Sequence, residues 1–201
     1  MNRRVSIGGR AGLRIALTLS LCAVARDHMA AGQIGKIFGR KQEVIYQTYR
    51  DPSGRFSLEY PNKDWRVVPG GGSAALVILA REDGEATVGV ESMNLVEALT
   101  PSEIQAMAEN EVDNLKARVP TAKDAKYELV DTRSGRGAMI PYANVGAQGA
   151  ERVVQYSIPV DRNLFRLTRT ARIAAATKHD AVLTHMIESF KSPAEPATPK
   201  R

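Results

Sequence analysis

Residues 56–69 limit what this chain can fold into more than any other stretch. Phe56, Leu58 and Tyr60 alternate with Ser57 and Glu59, the period of a strand with one buried face. Pro61 and Asn62 interrupt it, and both residue types favour turns. Trp65, Arg66, Val67 and Val68 then begin a second extended run, closed by Pro69 and the triplet Gly70, Gly71 and Gly72. Trp65 is the only tryptophan, so the largest single apolar side chain sits at this corner. The pattern predicts a hairpin of these two runs, with the rest of the domain added to it.

The following segments extend the strand pattern. A turn over Asp51, Pro52, Ser53 and Gly54 precedes the Phe56 run, with Pro and Gly in favoured turn positions. Residues 74–80 are continuously apolar and read as a central strand covered on both faces. Asp83-Gly84 is a hairpin turn, and residues 86–93 return as a strand. Thr100, Pro101 and Glu103 form a capping box with proline at the first helical position. This predicts a helix over residues 101–118, with Ile104, Ala108, Val112, Leu115 and Val119 on its apolar stripe and Pro120 as its stop. Four more strands follow over residues 126–133, 136–145, 151–159 and 164–173, separated by Ser134-Gly135, the 146–149 glycine turn and Asp161-Arg162-Asn163. A closing helix over residues 177–190 carries Val182, Leu183, Met186, Ile187 and Phe190, and Thr177 with Asp180 reads as its capped start. Short connections make neighbouring strands antiparallel. The expected fold is α+β: a mainly antiparallel sheet of six to eight strands covered by two amphipathic helices.

Net charge is +6 over 201 residues, which raises the question of nucleic acid. Residues 51–190 nevertheless hold 16 basic and 19 acidic residues. The basicity belongs to the ends, whereas a nucleic-acid binder concentrates it on the domain face that meets phosphate. No nucleic-acid partner is expected.

Arg3, Arg4, Arg10 and Arg14 precede an eleven-residue apolar run over residues 15–25 that ends in Ala23-Val24-Ala25. A basic start, a short apolar stretch and an A-x-A end are the pattern of a secretory signal; the run is too short to span a bilayer as a helix. The expected organisation is a signal peptide over residues 1–25, a linker over 26–50 with a leading strand near Val44-Ile45-Tyr46, a domain over 51–191 and a proline-rich tail over 192–201. The expected location is extracytoplasmic, periplasmic or secreted, and the N-terminus is the segment that could touch a membrane surface. Leu19-Ser20-Leu21-Cys22 resembles a lipobox, but Leu21 stands where a small residue belongs, which argues against a lipid anchor on Cys22. An uncleaved N-terminus would instead make the chain a cytosolic adaptor.

The Phe56-Ser57-Leu58-Glu59-Tyr60-Pro61 opening, with Trp65 just downstream, resembles the start of PsbP-like domains. The end, Ile187-Glu188-Ser189-Phe190-Lys191, resembles their terminal Ser-Phe helix, and the element order matches over residues 44–191. The resemblance implies a PsbP-like α/β/α sandwich and a non-catalytic binding or assembly role, closest to bacterial extracytoplasmic relatives. No chlorophyll-, calcium- or Ran-specific motif accompanies it.

Residue chemistry points the same way. Cys22 is the only cysteine, so no intrachain disulfide or multi-cysteine metal site forms. His179 and His185 are six apart, on opposite sides of a helix, and are expected as solvated helix residues. No Gly-x-Ser-x-Gly elbow occurs. Gly70–Gly72 and Gly135-Arg136-Gly137 lack the rest of a phosphate-binding motif. Glu82, Asp83 and Glu85 fit no calcium loop. No catalytic residue, metal or cofactor is expected; an extracytoplasmic hydrolase is the competing enzyme class. The candidate ligand residues are Arg152, Tyr156, Arg166, Arg169 and Arg172. Arg169 falls on the apolar face of the last strand, so it is either paired internally or lines a site for an anionic group. Arg152, Tyr156, Arg166 and Arg172 would form one cationic-aromatic surface for a small anionic ligand or a protein partner.

Overall fold

A computed structural model describes residues 43–71, 75–146 and 149–193. The expected signal peptide with Cys22, the expected linker before Glu43 and the expected tail beyond Pro193 lie outside the described residues.

Among the described residues there are nine strands and two α-helices: β1 (Tyr46–Arg50), β2 (Ser57–Pro61), β3 (Trp65–Pro69), β4 (Ala75–Arg81), β5 (Ala86–Asn94), α1 (Pro101–Arg118), β6 (Glu128–Thr132), β7 (Gly135–Gly146), β8 (Gly149–Val160), β9 (Asn163–Arg172) and α2 (Ala176–Glu188). β3 to β9 form one antiparallel sheet in the order β3-β4-β5-β9-β8-β7-β6, and β1 pairs β2 in a separate sheet. This is the expected α+β architecture. The helices lie on opposite faces. Glu111 of α1 reaches Ser157 and Arg166, while Asp180 and Thr184 of α2 reach Arg169, and neighbouring strand positions face opposite ways.

The expected hairpin of the Phe56 and Trp65 strands does not form. β2 pairs with β1, inside the stretch read as linker, and β3 pairs with β4. Asp64 takes the left-handed conformation (φ 61°), and the chain swings at that residue from one sheet into the other. Glu82 N–H donates to Asp64 O (3.0 Å), pinning the corner to the large sheet. β2 finds its second neighbour at the other end of the sequence: Ser57 and Lys191 exchange main-chain bonds of 2.8 and 2.9 Å, and Glu59 N–H donates to Ser189 Oγ at 2.8 Å. With Pro61 lacking a donor, every N–H on the inner edge of β2 is satisfied.

The apolar strand β4 is also not covered on both faces. Val77 and Leu79 are buried, whereas Ile78 is 37% exposed. α1 begins as expected: Glu103 N–H donates to Thr100 Oγ1, and Thr100 N–H to Glu103 Oε2 at 2.7 Å. α2 does not. The chain enters it from a 3-10 turn, Ile173–Ala175, so the cap position falls on Ala175, which has no side-chain acceptor. Thr177 lies inside the helix, and Asp180 is used by Arg169 instead.

The main core lies between the large sheet, α2 and β2. Phe56, Phe165 and Phe190 form an aromatic trio with ring centroids 5.3–6.0 Å apart, beside fully buried Leu58, Leu79 and Leu167. Each such side chain contributes about 1.5–3 kcal/mol by leaving water. A smaller core under α1 joins Val112, Leu115, Ala122, Ala125 and Ile140.

Candidate functional site: the Trp65 cleft

At the corner between the two sheets lies a cleft of about 190 Å³. Its apolar wall is Val44, Ile45, Pro61, Trp65 and Val182. Trp65 is 7% exposed, its indole committed to the core, while Val44 and Ile45 at the mouth are 43% and 61% exposed. The polar lining is Glu43, Asn62, Lys63, Asp64, Arg81 and His179.

Two members of the polar wall, Arg81 and His179, are held in place by carboxylates. Arg81 stands opposite Trp65 across the β3–β4 ladder. Its guanidinium is held by Asp83 through Nε at 3.1 Å and Nη2 at 2.6 Å. The pairing raises Arg81 above its ordinary value and holds Asp83 well below the usual carboxylate range. Asp83 also accepts the Glu85 N–H at 2.9 Å, and Gly84 (φ 69°) closes the turn. Glu85 receives His179 Nε2 at 2.8 Å and Lys178 Nζ at 2.9 Å. These two donors, His179 first, lower its pKa. With the carboxylate as acceptor, Nε2 carries the His179 proton. The β4–β5 turn is thereby clamped to α2.

His179 is not the solvated residue expected; it is 4% exposed. His185 donates to Glu59 Oε2 at 2.8 Å and stacks on Tyr46 with centroids 3.9 Å apart. Both histidines thus hydrogen-bond carboxylates. Among the described residues no group of three or more His, Cys, Asp or Glu side chains is placed to hold a metal ion.

The five residues predicted from sequence divide between the two faces. Directly opposed residues of an antiparallel pair share a face, and Arg152 opposes Ala171, Tyr156 opposes Leu167 and Val154 opposes Arg169. Arg152, Tyr156 and Arg169 therefore face α2. Arg166 opposes Ser157 and Arg172 opposes Glu151, so both face the α1 side. The single surface of Arg152, Tyr156, Arg166 and Arg172 does not exist, because 152 and 156 have the face parity of 169 and not of 166. Arg169, 11% exposed, is paired internally with Asp180 Oδ1 at 3.2 Å and Thr184 Oγ1 at 2.8 Å. The space beside it, about 10 Å³, is too small for a ligand. Burial raises the Tyr156 hydroxyl pKa. Arg152 lies on an open groove of about 450 Å³ with Tyr142, Ile173 and Thr177, and Arg172 on another of about 500 Å³ with Arg66, Thr87 and Thr170.

Sequence reasoning missed Glu111. It accepts from Ser157 Oγ at 2.6 Å, Arg166 Nη2 at 2.6 Å and Gln155 Nε2 at 3.3 Å. The signal was present, since 104, 108, 111 and 115 are successive positions of one helical stripe, and a carboxylate there requires a donor set.

No protein-family model matches the chain, and no curated protein matches it by sequence. Solved structures do. A cyanobacterial PsbP (CyanoP) from Synechocystis sp. PCC 6803 superposes with a TM-score of 0.56 at 13% identity, over 81% of this chain and 99% of that one. LpqN of Mycobacterium tuberculosis, described as involved in cell envelope biogenesis, superposes with a TM-score of 0.51 at 12% identity, over 77% and 94%. The chain has the PsbP-like α+β fold. Among the described residues no helix is long and apolar enough to cross a membrane.

Proposed function

We propose that this chain is an exported, non-catalytic accessory protein that holds a partner at the Trp65 cleft. The observation that carries the reading is the pairing of exposed apolar Val44 and Ile45 with the carboxylate-clamped Arg81 and His179 around the lone tryptophan. A preformed apolar depression with a few fixed polar groups is the usual form of a recognition site. His179 and His185 are each engaged by a carboxylate, and His179 serves to clamp the wall of the cleft. The leader-like N-terminus supports export, as does the likeness to LpqN, a protein of cell envelope biogenesis.

Two measurements test this. N-terminal sequencing of the protein from its native cells should give Arg26 as the first residue; a start at Met1 or Asn2 rejects export. Capture experiments should compare the wild type with Ile45→Arg, a change at an exposed rim position that leaves the core intact. The variant should keep its melting temperature and lose the captured partner. Equal capture by both proteins rejects the cleft.

A further inference from the structure

We propose that the outer edge of β1 receives an extended segment of a partner protein, which adds as a third strand and seats one bulky apolar side chain in the Trp65 cleft. The inference rests on the cleft reading above and specifies the chemistry of the partner.

The phase of the β1–β2 ladder defines the edge. Asn62 N–H donates to Ile45 O and Asp51 N–H to Phe56 O, each at 3.0 Å, at the two ends of a continuous register in which Gln47 opposes Tyr60 and Tyr49 opposes Leu58. Bonded and non-bonded pairs alternate in an antiparallel ladder. Residues 45, 47, 49 and 51 therefore spend their main-chain groups on β2, and Tyr46, Thr48 and Arg50 turn theirs outward. Among the described residues, these three N–H and three C=O groups meet no partner. The opposite side of the pair is closed by Ser189 and Lys191, so the small sheet can grow in one direction only.

Proteins blunt exposed strand edges with proline, lysine or a bulge. β3 ends in Pro69, and β6 carries Glu128 and Asp131. β1 has no proline, lysine or register shift; its one charge, Arg50, stands at the end away from the cleft, and Gln47 and Thr48 are exposed and uncharged. It keeps the template that the other edges give up.

The cleft selects the occupant. At about 190 Å³ it is smaller than the ~300–1,000 Å³ of small-molecule sites, but it accommodates one aromatic or branched side chain. Val44 and Ile45 run directly from β1 into its mouth. Main-chain pairing supplies affinity and a side-chain pocket supplies selectivity in strand addition. A second copy of this chain fits less well. The self-pairing that uses all three outward positions sets Tyr46 against Arg50 and Thr48 against Thr48. It brings Asp51 and Pro52 of the copy to Ile45 and Val44, and Asp51 is already bound by Arg55. No bulky apolar group would enter the cleft.

The test uses the full chain and hexapeptides of the form Thr-Val-Xaa-Val-Thr-Lys, blocked at both ends, with Phe, Leu or Ala as the third residue. Trp65 emission reports the cleft, and amide hydrogen exchange at Tyr46, Thr48 and Arg50 reports the edge. The Phe or Leu peptide should shift the emission and slow the three amides at least tenfold. The Ala peptide should bind at least tenfold more weakly. Peptides N-methylated at alternate residues should lose binding, a control that leaves the protein unaltered. Thr48→Pro should lose it too, since position 48 makes no bond to β2. The proposal is overturned if none of the peptides binds, or if the three amides are already protected in the free chain. It is equally overturned if their protection rises with protein concentration alone, which would mean a second copy. An emission shift without protection, or capture of a native partner that survives Thr48→Pro, removes the edge while leaving the cleft reading in place.

Discussion

Arg166 Nη2 lies 2.6 Å from Glu111 Oε1, and this contact ties α1 to the large sheet. The side chains are 26% and 13% exposed, and a second carboxylate, Glu91, stands 3.6 Å from Arg166 on its open side. Burying a carboxylate on a helix is tolerated because Ser157, Gln155 and Arg166 together replace its water. Removing the arginine leaves the carboxylate partly desolvated and poorly compensated, which costs more than the pair contributes. Arg166→Ala should destabilise the fold by about 2–4 kcal/mol in urea unfolding. Adding Glu111→Ala to Arg166→Ala should cost less than the sum of the single changes, and additivity within ~0.5 kcal/mol would show that the pair does not act as a unit.

Acid stability should depend on Glu85. Its folded pKa is lowered by His179 and Lys178, below the ~4.3 of an unfolded glutamate. A carboxyl whose pKa falls on folding adds stability that is complete above the unfolded value and is lost as pH drops through the folded one. Asp51, held down by Arg55, and Asp83, held down by Arg81, act in the same direction. The urea midpoint should therefore fall between pH 7 and pH 3, and by less in Glu85→Gln, which has forfeited its share already at pH 7. Parallel losses in the two proteins would contradict the assignment.

Gly137 of β7 packs against the β8 backbone with no room for a side chain. A Cβ there would stand 2.5 Å from Ser157 O and 3.2 Å from Ile158 Cα. Both obstacles are backbone of a central strand, so the strain cannot be relieved by a rotamer change. Gly137→Ala should cost about 1–3 kcal/mol, the usual range for overpacking, read as a lowered thermal midpoint. An unchanged midpoint would show that the strands can separate locally.

Thr100→Ala removes the acceptor of the Glu103 N–H at the start of α1. The expected loss is about 1 kcal/mol. Thr100→Ser should restore most of it, since the hydroxyl is what the cap uses.

The elements read most faithfully from sequence are those whose ends are written locally. α1 is bracketed by Thr100, Pro101 and Glu103 at one end and Pro120 at the other, and all act within a turn of where they stand. α2 deceived because Thr177 and Asp180 have the right spacing for a cap, but a guanidinium eleven residues upstream claims the carboxylate. The pairing of β2 was illegible for a related reason: its partners are β1 and Lys191, selected by the Asp64 corner and by long-range bonds. Strand parity was legible, and it placed Arg169 on its apolar face, but it could not reveal that Arg152 shares that face until the β8–β9 register was known. The Trp65 cleft combines both cases. Trp65 stands out in any reading, whereas His179 and Glu85, 94 positions apart, meet only in three dimensions.

The closure of β2 by Ser189 and Lys191 has a consequence for assembly. During synthesis the β1–β2 hairpin emerges early and waits, half-paired, until Ser189 and Lys191 have been made. A chain stopped after Glu188 would lose both Phe190 from the aromatic trio and the seam that joins β2 to the end of α2. Cargo fused beyond Pro193 leaves that seam whole, whereas truncation before Lys191 removes it.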